Sequence, residues 1–87
     1  MLYKLVKVTD LNREDKKDEG SLNRIGRIFN IDKDKIKLNR RLLMICEIPG
    51  YEKSVFTTQV ADVTATSAGM TIKTENSYYH LAAYSTQ

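Results

Sequence analysis

The sequence predicts an all-β fold, a small antiparallel barrel of five to six short strands. Apolar residues alternate with a period of two along most of the chain, and no window of ten residues carries good helical periodicity. Turn-forming residues separate the alternating segments at short intervals. With 87 residues there is room for a single domain, residues 1–87. A domain of this size buries only roughly 60–65% of the surface of its unfolded chain, so oligomerisation is a plausible supplement to its stability.

Residues 2–8 read as the first strand, with Leu2, Val6 and Val8 on one face and Tyr3, Leu5 and Lys7 on the other. Residues 9–21 are crowded with charges of both signs and lack a core pattern, which predicts one long polar loop holding at most a helical turn. Residues 22–31 alternate again and predict a second strand, with Gly26 at a bulge or close approach. After a polar turn at residues 32–35, the alternation of residues 36–48 predicts a long strand bent near Asn39 and Arg40. Its centre, residues 42–46, is apolar on both faces, as expected of a strand covered on both sides. Pro49 and Gly50 mark a turn. Residues 54–66 return as β structure, residues 67–69 close a hairpin in which Gly69 supplies a positive φ, and residues 70–74 and 77–84 form the last strands. A partly open barrel of the SH3-like or OB-like kind accommodates these pieces.

The net charge of +3 is unevenly spread: residues 1–41 hold twelve Lys and Arg against seven Asp and Glu, residues 42–87 two against four. A basic half invites a phosphate or an acidic protein as partner. No apolar run approaches the ~18–20 residues of a membrane span, and no signal-length apolar stretch or lipidation motif is found. The expected location is the cytoplasm, with no membrane partner.

Enzyme chemistry is poorly supported. His80 is the single histidine and Cys46 the single cysteine, which excludes a His-based metal cluster, a cysteine-based zinc site and an internal disulfide. Cys46 lies in the longest apolar run and reads as a buried small hydrophobe. Ser77, His80 and Asp62 supply triad residue types, but no nucleophile elbow surrounds the serine. The carboxylate pairs Asp32/Asp34 and Asp15/Glu19 fall in charged loops and read as solvated turns. The four glycines include no phosphate-cradling loop. The expectation is a non-enzymatic protein with no cofactor and no metal.

Two binding readings remain. Arg24, Arg27, Lys35, Lys37, Arg40 and Arg41 offer a basic strand face for nucleic acid, with Tyr3, Tyr78, Tyr79 and Tyr84 as stacking platforms. Alternatively, Tyr51, Tyr78, Tyr84 and Arg41 are the residue types that anchor protein interfaces. A third route is a homo-oligomer, pairing residues 1–8 or 77–84 as an edge strand and using Arg24, Arg27 or Arg40 on an enclosed anion. Arg40, the one polar residue on an apolar face, suggests a bulge, an interface or a change of register.

In residues 57–60, at Val63 and in residues 70–81, a Thr-rich strand is followed by a hairpin and the order T-x-N-S-x-Y-x-L, read from Thr74 to Leu81. This order resembles small uncharacterised proteins encoded by bacteriophages and mobile elements of Gram-positive bacteria. The resemblance covers roughly residues 54–82, with an echo in residues 23–31. It implies a phage-type small β-barrel in a class that includes inhibitors of bacterial defence systems, anti-CRISPR proteins among them, and it carries over no site residue. The expected function is therefore stoichiometric inhibition of a host defence effector complex, with a nucleic-acid-binding barrel as the alternative.

Overall fold

The computed structural model describes residues 1–47 and 54–84, and within them the chain forms a six-stranded antiparallel barrel. The elements run β1 (Leu2–Thr9), α1 (Glu19–Arg24), β2 (Ile28–Asn30), β3 (Arg41–Cys46), β4 (Val55–Thr66), β5 (Gly69–Thr74) and β6 (Tyr78–Ala83). Strands pair in sequence order and β1 then pairs with β6, so the small barrel is closed rather than partly open. Closure leaves no strand without a neighbour on each side. Both strands expected to offer a pairing edge, β1 and β6, already have a strand neighbour on each side, β1 meeting β2 over Leu2–Lys4.

Three register shifts let so short a sheet curl, one of them between Arg41 and Leu43 where β3 pairs with β4. β1 shifts register between Leu5 and Lys7, which turns Val6 out to solvent. β4 shifts between Val60 and Asp62; its first half pairs with β3 and its second half with β5. A single strand thereby turns the corner between two faces of the barrel.

The alternation fills the interior with Tyr3, Leu5, Val8, Phe29, Ile31, Met44, Cys46, Val55, Val60, Met70, Ile72, Tyr79 and Leu81. Cys46 is buried there, as expected of a small hydrophobe. The buried threonine hydroxyls are all satisfied, within a turn or across strands. Thr57 Oγ1 accepts the Leu42 amide at 3.0 Å and donates to the Thr58 carbonyl at 2.7 Å. Thr74 Oγ1 accepts the Ser77 amide and donates to the Ser77 carbonyl, both at 3.2 Å, closing the β5–β6 turn. Among the described residues no buried side-chain polar atom lacks a partner.

Three expected elements differ. The loop expected over residues 9–21 ends at Asp18, whose carboxylate accepts the Ser21 amide at 2.9 Å and caps α1. That bond holds the Asp18 carboxyl below its usual range. Helix and left-handed Gly26 (φ 91°) then occupy most of the strand expected over residues 22–31, leaving β2 three residues long. The space beside Gly26 is open, so backbone conformation rather than close approach demands glycine there. The long strand expected over residues 36–48 begins only at Arg41. Asp32 caps a 3-10 turn at Lys33–Lys35, and Asn39 adopts φ 65°, which an extended strand excludes. Arg40 therefore lies in a turn, its amide donating to the Lys37 carbonyl at 3.3 Å. Ile48, Pro49 and Gly50 fall outside the described residues.

Gly69 also has a different role from the one expected. It pairs with Ala82 on β6, and a Cβ on it would collide with the Leu81 carbonyl oxygen and meet the Ala82 Cα at 3.0 Å. Close approach of two backbones, and not positive φ, requires glycine there. Gly69→Ala is expected to destabilise the barrel by about 1–3 kcal/mol through overpacking against backbone that cannot yield. Phe29→Ala, which empties the centre of the core, is expected to cost about 3–5 kcal/mol. Urea denaturation measures both, and an unchanged midpoint for Gly69→Ala would show that β5 and β6 can separate.

Candidate functional site

Two surface features stand out. The first is the outer face of β2, β3 and β4. Met44 and Val55 pair across the strands and point inward, so the neighbouring pair Leu43 and Phe56 points outward. Leu43 is 47%, Ile45 50% and Phe56 52% exposed. The both-sides burial expected for residues 42–46 is thus met on one side only. Asn30, paired with Ile45, and Gln59, paired with Arg41, form polar ends of the patch. Asn30 is held by the Met1 ammonium at 3.2 Å and by its own donation to Glu47 Oε1 at 3.3 Å. Arg41 donates from Nε to the Thr57 carbonyl at 2.9 Å and lays its guanidinium 4.0 Å from the Phe56 ring centroid. An exposed arginine held at two points is ordered before any partner arrives. Beside the patch, Met1, Ile31, Lys35, Leu42 and Leu43 help line a depression of about 400 Å³.

The second feature lies outside β4, β5 and β6. Register places Lys7, His80, Thr71 and Thr64 in one row, and Thr9, Tyr78, Lys73 and Asp62 in the next. The polar loop folds over the end of this face. Asp10 Oδ1 accepts the amides of Asn12 at 2.8 Å and Glu14 at 3.0 Å, and Arg13 sits between them at φ 65°. The Arg13 guanidinium rests 4.6 Å from the Tyr78 ring centroid, and the Lys73 ammonium 5.8 Å from it. The Tyr78 and His80 rings stack at 6.2 Å, and His80 Nε2 lies 3.2 Å from Thr9 Oγ1. Burial lowers the His80 pKa below 6.5, and the charges of Lys7 and Arg13 lower it further against the opposing pull of Asp15.

The nominated residues are not all brought together. Arg24 ends α1 and Arg27 precedes β2, whereas Lys37, Arg40 and Arg41 gather at the turn into β3. Tyr78 faces Arg13 and Lys73, two cations that sequence reasoning did not nominate. Tyr84 lies beyond the other end of β6, its amide bonded to the Leu2 carbonyl at 2.9 Å. At ~3.3 Å per residue the two tyrosines stand about 20 Å apart along the strand and make no common platform. Tyr3 and Tyr79, also expected as stacking residues, are buried in the core instead, and Tyr51 lies outside the described residues. Ser77 is buried at the β5–β6 turn, and the hydroxyl beside His80 belongs to Thr9. Among the described residues no group of His, Cys, Asp or Glu is arranged to hold a metal ion, and no helix is long and apolar enough to cross a membrane. Compared with models of known families, with curated proteins and with solved structures, the chain matches none.

Because folding lowers the His80 pKa, the native state binds fewer protons than the unfolded chain between that value and 6.5. His80 therefore lowers stability as pH falls through about 6.5, and the loss levels off below the folded value. An NMR titration of the imidazole is expected to give a midpoint below 6.5, moving upward in Lys7→Gln. A midpoint above 6.5 would show that Asp15 outweighs burial and the two cations.

Proposed function

We propose that this chain acts without catalysis, by stoichiometric binding of a protein partner through the outer face of β2, β3 and β4. The observation that carries this reading is the row of Leu43, Ile45 and Phe56, each about half exposed and contiguous on one sheet face. A domain with little apolar surface to spare gains nothing in folding from leaving these three outside. Their arrangement matches the anatomy of an interface, with an apolar centre, a polar rim of Asn30, Glu47 and Gln59, and an arginine pinned over an aromatic ring. The resemblance of residues 54–82 to phage and mobile-element proteins makes a bacterial defence effector complex the first class of partner to test.

The nucleic-acid alternative, in the form that uses Arg24, Arg27, Lys37, Arg40 and Arg41 together, has less support, because these cations divide between two regions. Phe56→Asp is expected to weaken partner binding at least about 30-fold, as loss of a central anchor does. Since Phe56 is half exposed, the variant is expected to keep its native circular dichroism and a melting temperature close to that of the original chain. The test is affinity capture from a bacterial lysate, with and without nuclease and at low and high salt. A protein complex that survives nuclease and salt, and is lost with Phe56→Asp, supports the reading. Capture unchanged by Phe56→Asp, or recovery only of nucleic acid that is lost at high salt, overturns it.

A further inference from the structure

Separate from that interface, we infer that the depression bounded by Arg13, Lys73 and Tyr78 binds a phosphate-bearing ligand of nucleotide type. The depression measures about 290 Å³, close to the lower bound of small-molecule sites and larger than a lone phosphate needs. Thr64 and Thr71 lie directly opposite each other across β4 and β5 and line it with two hydroxyls. Arg13 from the loop after β1 and Lys73 from β5 both line it and converge on the Tyr78 ring. Among the described residues Lys7 pairs with Asp15, and no carboxylate of these residues lies within 4.0 Å of the Arg13 or Lys73 cation. Asp62, the one acid in the lining, is turned to the Val63 amide at 2.9 Å.

Several features favour phosphate. A guanidinium fork, an ammonium and two hydroxyls are donors suited to a tetrahedral oxyanion. They differ from the apolar lining that a neutral organic molecule would need. The loop spends conformational strain to present the arginine. Arg13 is held in the left-handed region by the Asp10 carboxylate and by its own amide bonded to the Asp10 carbonyl at 3.0 Å. Tyr78 forms an aromatic wall beside the cations, and the remaining volume suits a sugar or base attached to the phosphate. The same chemistry arises from a free nucleotide or from one unit of a single strand.

The test is an amide NMR titration of the intact chain with inorganic phosphate, a nucleoside 5′-monophosphate and a short single-stranded oligonucleotide, each at low salt. Saturable shifts at Thr64, Thr71, Lys73 and Tyr78 with the mononucleotide support the site with a free nucleotide as source. The same shifts with the oligonucleotide alone support it with the strand as source. Arg13→Gln and Lys73→Gln, both outside the core, are expected to weaken binding about tenfold each, while Lys37→Gln leaves it unchanged. Absence of shifts at these residues with every probe, or an equal loss in Lys37→Gln, overturns the inference. Phe56→Asp leaves this binding intact and Arg13→Gln leaves protein capture intact, so failure of either proposal is distinguishable from failure of the other.

Discussion

The hydrogen bonding between β1 and β6 is the constraint on which the remaining structure depends. It joins the first and last strands of the described chain, from Tyr3 opposite Ala83 to Thr9 opposite Tyr78, and turns a meander into a ring. Once the ring closes, every strand is paired on both sides and the inward faces enclose one core. The price is curvature. A sheet of six short strands closes only where strands bend, and the irregularities at Val6, near Ala61 and opposite Leu42 supply the bends. Gly69 belongs to the same requirement, since β5 and β6 approach too closely there for any Cβ.

Closure also distributes the surface. The bulge in β4 sends its first half to β3 and its second half to β5, so one strand carries Phe56 on one face and Asp62 and Thr64 on another. The two candidate sites therefore share a rigid strand while differing in chemistry. One is apolar with a pinned arginine. The other is cationic and polar, roofed by a loop that a single aspartate organises. Sites built on strands of a closed ring hold their geometry well, because no strand can move without breaking two ladders.

Much of the architecture was legible in the alternation. Strand residues 70–74 and 77–84 follow it closely, because a period of two is a direct consequence of one buried and one solvated face. In residues 2–8 and 54–66 a bulge switches the face partway, so that Val8 is buried with Tyr3 and Leu5 rather than sharing a face with Leu2 and Val6. The remaining errors fell where short-range capping overrode the pattern. The carboxylates of Asp18 and Asp32 each capture a backbone amide, and Gly26 and Asn39 adopt left-handed φ. These local bonds end extended structure even though Ile25, Ile36 and Leu38 keep its spacing. An Asp three residues ahead of a Ser was the available signal for α1, weakened by Gly20 within the helix.

The sequence by itself determined the all-β class, the buried cysteine and an aromatic last strand, since these follow from residue type and period within one segment. It also contained the two-sided apolar run of residues 42–46, but could not say which side would stay bare. Only the tertiary structure decided that Leu43 and Ile45 face solvent with Phe56, and that Arg13 and Lys73 meet at Tyr78. Those groupings depend on register between strands distant in sequence. Bulges and ring closure set that register, and neither is encoded in the alternation of any single strand.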